Sequence, residues 1–177
     1  MGDGTIVIRD LAAGDERELL AAIAAMRASD PDFDFTLGFA PDAGFAAYLR
    51  ALDGHRRGVG LPDGWVPSTM RFAFIDGRIA GRVSIRHRLN DYLARVGGHV
   101  GYGTVPGFRR RGVASALLRD ALTIGRGLGI ERMLVTCDDD NAGSIAVIVA
   151  AGGSFEDIVA LPDATPKRRY WLATSTP

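Results

Sequence analysis

One junction restricts the fold of this chain more than any other. A glycine-rich apolar stretch, residues 96–105 (VGGHVGYGTV), leads through Arg109-Arg110-Arg111-Gly112 into residues 113–124 (VASALLRDALTI). Val113, Leu117, Leu118, Ala121, Leu122 and Ile124 recur at the i, i+3, i+4 spacing of one helix face, so this segment is predicted helical and half-buried. The stretch before it reads as a strand weakened by its glycines, and a glycine inside a strand marks a bulge or the close approach of another backbone. A glycine-bearing turn that opens a helix is also an anion site. Its N–H groups have no intrahelical acceptor, and the helix dipole adds about half a positive charge. Gly112 lets a phosphate come close to the backbone, and Arg109 to Arg111 add charge-assisted donors. The junction suits a pyrophosphate.

The rest of the chain supplies elements to pack against it. Ile6-Val7-Ile8 reads as a first strand, residues 15–28 as a helix with acidic residues in its first turn, and residues 43–52 as a second helix. Residues 30–42 and the Gly/Pro-rich 54–68 read as loops. Residues 70–87 are predicted to form a hairpin turning at Asp76-Gly77, because Asp-Gly between alternating apolar runs favours a tight turn. Arg132–Cys137 is a short buried strand, and Asp138–Asn141 a turn and cap. Ser144–Ala151 is a helix stopped by Gly152-Gly153, while 154–160 and 169–172 are the last strands. Gly125, Gly127 and Gly129 are expected to end the helix begun at 113. This order implies one α/β (α+β) domain with a mixed sheet.

Composition narrows the function. The 177 residues suit one domain, and 47% hydrophobic with 24% charged residues is ordinary for a folded protein. The net charge is zero, from 21 basic and 21 acidic side chains, so a nucleic-acid binder lacks its usual basic surplus. A single cysteine, Cys137, excludes a disulfide framework, and His55, His87 and His99 are too scattered for a zinc site; no metal is expected. No apolar run reaches the roughly 18 to 20 residues of a membrane helix, and the first ten residues lack signal-peptide character, so the cytoplasm is the expected location. All basic residues except Lys167 are arginines, beside 25 alanines and 23 glycines, which reads as the coding bias of a high-GC, bacterial genome. Arginine and glycine are therefore abundant here, and the position of the Arg109–Gly112 turn says more than its composition.

Residues 96–153 resemble motifs A and B of the GNAT superfamily of N-acetyltransferases. GYGTVPGFRRRGVASALL, residues 101–118, looks like its acetyl-CoA signature, and Asn141, Ala142 and Ser144 match the opening of its later helix. Arg86, His87 and Asn90 fit a bacterial subgroup with an Arg-His-x-x-Asn stretch before motif A. The resemblance implies a single domain over 1–177. Residues 1–95 would supply N-terminal and acceptor-side elements, 96–153 the acetyl-CoA motifs and 154–177 the closing strands. The implied fold is a mixed, mostly antiparallel sheet splayed at a β-bulge, with helices on both faces. It implies acetyl-CoA as cosubstrate and a primary amine, on a small molecule or peptide, as acceptor, with no nucleic-acid or membrane partner. Members often pair, so a homodimer is also an expectation. Gly103, Thr104 and Val105 would pair with the pantetheine arm. Arg110, Arg111, Gly112, Val113, Ala114 and Ser115 would present N–H groups to the pyrophosphate, with Arg109 at the first position of the signature. Asn141 and Ser144 would line the far side near the thioester.

One position departs from the family pattern. Four residues after Ser144, where many members carry an acid tyrosine, stands Ile148. A non-catalytic acyl-CoA-binding or sensor module is therefore the alternative to an enzyme. Acyl transfer needs a neutral amine, a polarised carbonyl and the two held within reach. A base near neutrality helps, and the candidates are His99, early on the central strand, and His87, at the end of the preceding one. Tyr102 is the candidate acid or orienter. Each has a plainer structural reading: His99 packed in a strand, His87 at a solvated strand end, Tyr102 as packing. The Asp138–Asp140 run reads as a cap and turn, and Cys137 as an inert buried thiol. Trp65, Phe33, Phe35 and Phe39 line an acceptor pocket or pack onto the core.

Overall fold

The computed structural model describes residues 4–175. The outermost residues of the expected 1–177 domain, 1–3 and 176–177, lie outside the described residues. Seven strands form one sheet: β1 (Val7–Arg9), β2 (Ser68–Ile75), β3 (Arg78–Arg86), β4 (Val100–Thr104), β5 (Arg132–Asp138), β6 (Ser154–Leu161) and β7 (Ala164–Ala173), in the order β1-β2-β3-β4-β5-β7-β6. Four helices accompany it: α1 (Glu16–Ser29), α2 (Phe45–Arg57), α3 (Val113–Gly127) and α4 (Ala142–Ala150). Every strand pair is antiparallel except β4–β5, so the sheet is mixed and mostly antiparallel.

The β2–β3 hairpin turns at Asp76-Gly77, both with positive φ (50° and 76°), which matches the right-handed twist of the flanking strands. Alternate residues of β3 reach opposite faces. A Cβ on Gly81 would meet Val113 and Leu117 of α3 at 2.9 and 3.1 Å, so α3 lies flat on that face. Arg82 points the other way and donates to the carbonyls of Asp34 and Phe35, in the loop between α1 and α2. Phe35 stacks edge-on against Phe72, and Tyr48 of α2 donates to Thr36 O, so the sheet is covered on both sides. The core is continuous, with Leu19, Phe72, Ile85, Leu117, Met133 and Leu172 all essentially inaccessible. At about 25 cal/mol per Å² of apolar surface, such burial is the main force holding the layers together.

Several boundaries differ from the sequence reading, each for a local reason. α2 runs on to Arg57, because its last turn (His55, Arg56, Arg57) suits the negative helix end and Gly58 caps it with φ 74°. α3 continues past Gly125, where the missing side chain makes room for the Met133 sulfur, 2.4 Å from a would-be Cβ; Gly129, at φ 76°, marks the stop. The strand expected over 96–105 is shorter, since Leu93–Gly97 forms a π-helical turn and Gly98 bends the chain at φ 64°. A Cβ on Gly98 would lie 2.7 Å from Leu134 O, so only glycine lets the chain pass there. β7 begins at Ala164, earlier than residue 169: Pro162-Asp163 forms a tight turn and the strand takes Pro166 in its stride.

Candidate active site

The sheet opens between β4 and β5. The two strands pair only at Val100–Val135, and beyond that point they diverge. The register shifts of the sheet lie elsewhere, at Ala73/Phe74 and within β6, so the splay comes from the broken parallel pairing itself. The fork is held at His99. Its backbone N–H donates to Leu134 O (2.7 Å), and its Nδ1 accepts from Leu134 N (2.9 Å). Burial, with the positive charge of Arg86 nearby, pushes the His99 pKa down to about 4.

Below the fork, β4 offers an unpaired edge. Val105 donates to Ala80 O across on β3, and strict alternation along an extended strand then turns the N–H and C=O groups of Tyr102 and Thr104 toward the cleft. Of the residues expected to pair with pantetheine, Thr104 faces the opening, whereas Gly103 and Val105 face β3. Gly103 serves the opposite side: a Cβ there would lie 2.5 Å from the Phe33 ring, which packs flat on the strand.

The turn before α3 continues the cleft. Arg110 and Gly112 both have positive φ (63° and 77°), and the first backbone bond into the helix is Ala116 N to Gly112 O. Six consecutive N–H groups, Arg110, Arg111, Gly112, Val113, Ala114 and Ser115, therefore find no acceptor among the described residues. Such a run of free donors at a helix start is an anion cradle. Two of its arginine side chains are turned to other partners. Arg109 donates to Ser29 at the end of α1 (3.1 Å), and the Arg111 guanidinium sits over the Phe108 ring at 5.5 Å.

Tyr102 and α4 form the far wall. Tyr102 Oη lies 2.7 Å from Ser144 Oγ, and Asn141 caps α4 by accepting from Ser144 N (2.9 Å). Burial pushes the tyrosine pKa up to about 12 despite the Ser144 contact. Cys137 is buried beside Ser144, its thiol pushed up chiefly by burial. Ile148 is fully buried and points into the core rather than the cleft. Two residues of the acidic run at the end of β5 are engaged: Asp138 pairs with Lys167, and Asp139 pairs with Arg168 at 2.5 Å.

The three catalytic candidates are not brought together. Tyr102 faces α4, His99 pins the fork, and His87 bonds through Nε2 to Thr69 Oγ1 of β2 (2.9 Å), where burial and Arg56 hold its pKa down. Among the loop aromatics, Phe35 packs on Phe72 and Phe39 on Tyr48; Phe33 and Phe35 line one cavity beside α1, and Trp65 lines another. That cavity lies on the sheet face opposite α3, over Ser84 and Arg86, and sequence reasoning gave no role there to either residue. Two signals pointed there: the Arg-His-x-x-Asn stretch, whose Arg86 and Asn90 both line the cavity, and the alternation of β3, which puts residues 82, 84 and 86 on one side. No helix is long and apolar enough to cross a membrane, and among the described residues no group of three or more His, Cys, Asp or Glu is placed to hold a metal.

The acetyltransferase (GNAT) family model matches residues 34–152, which is two thirds of the chain. Among curated proteins no sequence matches. Solved structures share the fold at low identity. RimL, a ribosomal L7/L12 α-N-protein acetyltransferase in complex with coenzyme A, superposes with TM-score 0.70 at 19% identity, over 96% of this chain and 94% of that one. RimJ of Mycobacterium smegmatis, in complex with CoA-disulfide, gives 0.72 at 15% over 97% and 83%. The microcin C7 self-immunity acetyltransferase MccE, with acetyl-CoA and AMP, gives 0.65 at 17% over 97% and 93%. With a splayed β4–β5 cleft opening onto a bare helix start, this chain belongs to the GNAT acetyltransferase family.

Proposed function

We propose that the protein transfers the acetyl group of acetyl-CoA to a primary amine. The observation that carries this reading is the continuity of the β4–β5 cleft with the six free N–H groups of Arg110–Ser115. An extended thiol-bearing arm fits the unpaired edge at Tyr102 and Thr104, and a pyrophosphate fits the cradle. The relatives whose structures hold coenzyme A or acetyl-CoA add support through their shared fold.

The chemistry follows from the walls. The amine nitrogen attacks the thioester carbonyl, a C–N bond forms, and the C–S bond breaks. A β4 backbone N–H facing the cleft polarises the carbonyl oxygen. The Tyr102 hydroxyl, protonated at every working pH, gives its proton to the departing sulfur and is reprotonated from the nitrogen. In this scheme Tyr102 fills from β4 the role left open by Ile148 on α4. His99, held neutral with Nδ1 occupied, is the pin of the fork, and the incoming ammonium loses its proton to solvent. A bacterial, cytoplasmic setting fits a reaction that consumes acetyl-CoA.

A non-catalytic acyl-CoA sensor is the second reading, favoured by Ile148. Free-thiol release from acetyl-CoA with a panel of small amines separates the two. Amine-dependent thiol release that Tyr102→Phe suppresses supports the transferase. Acetyl-CoA binding without thiol release for any amine supports the sensor.

A further inference from the structure

Arg86 stands out among the inward-facing arginines. Arg82 is satisfied by three carbonyls, of Asp34, Phe35 and Gly101. Arg71 has Asp10 and Asp120. Arg86 has one protein acceptor, Gly97 O at 3.2 Å, and among the described residues no carboxylate lies within ion-pair distance. Burial pushes its pKa down with only Tyr92 opposing. A guanidinium withdrawn from water without a counter-charge is costly, and the cost is recovered when an anion binds.

Its surroundings are a built pocket. Arg86 and Ser84 lie on the same face of β3 and line a cavity of about 220 Å³. Ser84 is 1% exposed and presents its side chain to this cavity. Leu37, Trp65, Val66 and Leu93 make the walls mostly apolar. Asn90 fixes the rim, donating to Gly64 O and accepting from Leu93 N, both at 2.9 Å. The volume is below the roughly 300–1,000 Å³ typical of drug-sized sites, which points to a small occupant. The cavity also adjoins the cleft. The Arg86 Nη1 lies 3.0 Å from where a Gly101 Cβ would stand, and Gly101 belongs to β4, the strand that forms one cleft wall. Glycine at 101 lets the guanidinium lie against the strand.

We infer that the acceptor is a small apolar amine that carries a carboxylate, bound with the carboxylate on Arg86 and Ser84 and the apolar group against Trp65 and Leu93. This rests on the transferase reading for the word acceptor, but the carboxylate site stands on its own geometry. A guanidinium receives a carboxylate through two parallel N–H donors, and the serine hydroxyl supplies a third. Anchoring there holds the amine beside β4, on the side from which it can reach a thioester in the cleft.

The test pairs compounds that differ only in the carboxylate. L-Phenylalanine and 2-phenylethylamine are compared as acceptors by thiol release, with wild type and Arg86→Gln. The expected result is a kcat/KM at least tenfold higher for phenylalanine, carried mainly by KM, and a collapse of that difference in the variant. In parallel, 3-phenylpropanoate and 3-phenylpropanamide are titrated against the fluorescence of Trp65. The acid perturbs it in wild type; the amide, or the acid with the variant, does not. Unchanged acetyl-CoA affinity confirms that Arg86→Gln is folded, and Arg86→Lys, which keeps the charge, recovers part of the preference. Equal turnover of the two amines, together with no acid-specific binding, overturns the carboxylate site and leaves the transferase reading standing. Arg86-dependent binding of the acid with no turnover of either amine keeps the carboxylate site and removes its role in holding the acceptor. No turnover and no binding overturns the inference whole, while the transferase reading is decided separately by the wider amine panel.

Discussion

His99 Nδ1 accepts the backbone N–H of Leu134 at 2.9 Å while its own N–H donates to Leu134 O, so one residue ties β4 to β5 at the point where they part. The ring is 6% exposed. Burial disfavours the charged ring, and charging it would also place a cation beside Arg86, which is why its pKa falls to about 4.

A pH dependence follows. The unfolded chain binds this proton near pH 6.5 and the folded chain only near 4, so the contribution is complete above about 6.5 and is lost as pH falls toward 4. At 1.36 kcal/mol per unit it is on the order of 3 kcal/mol. His99→Asn keeps an acceptor for Leu134 N–H without titrating. Thermal unfolding from pH 7 to 4 is expected to show a flatter decline for His99→Asn than for wild type. Parallel curves would remove the ring from the explanation.

The same pair predicts the pH–rate profile. With His99 neutral throughout, kcat/KM should rise with pH toward the amine's own pKa, with no inflection near neutrality, and His99→Asn should follow the same curve. A wild-type inflection at pH 6–7 that the variant lacks would make His99 the base.

Removing the acceptor altogether has a different cost. His99→Ala leaves a buried N–H unpaired, worth about 1–3 kcal/mol, and should lower Tm clearly more than His99→Asn does. Equal Tm values would mean that water replaces the ring.

Tyr102 is predicted to matter for turnover more than for binding. Tyr102→Phe removes the hydroxyl 2.7 Å from Ser144 Oγ and should reduce kcat by about a hundredfold, with little change in acetyl-CoA affinity. The lost hydrogen bond should cost about 1 kcal/mol of stability. An unchanged kcat would assign the proton to another donor.

Cys137 is predicted to be a bystander. Its thiol is buried and held protonated, so Cys137→Ala should retain kcat, and native protein should resist iodoacetamide at neutral pH. Labelling that abolishes turnover would point to a thiol in the reaction path.

What the sequence revealed was local. Asp76-Gly77 encodes its own turn, and the stripe from Val113 to Leu122 encodes a helix whichever sheet lies beneath it. The bare N–H run at Arg110–Ser115 was legible because a helix start lacks acceptors by construction. The pairing of Tyr102 with Ser144 was not, because 42 residues separate them and only the packing of α4 against α3 and β5 brings them together. Arg86 was legible only as the first residue of the Arg-His-x-x-Asn stretch. In a chain with 20 arginines among its 21 basic residues, nothing in the sequence shows that this one lacks a counter-charge; its isolation is a property of the fold. His99 was identified as important, yet its role depends on a carbonyl and an N–H of Leu134, which no side-chain pattern announces.

The central claim is that the cleft and the α3 cradle bind acetyl-CoA, and calorimetric titration of wild type, Gly112→Ala and Gly112→Asp with acetyl-CoA tests it most directly. Gly112 has φ 77° with nothing but Ile6 within 4 Å of a would-be Cβ, so alanine adds only backbone strain, about 1–2 kcal/mol. Wild type is expected to bind in the micromolar range and Gly112→Ala somewhat more weakly. Gly112→Asp, folded but with a carboxylate in the cradle, is expected to give no heat of binding. Wild type that binds neither acetyl-CoA nor CoA, or a folded Gly112→Asp that binds as wild type does, would contradict it.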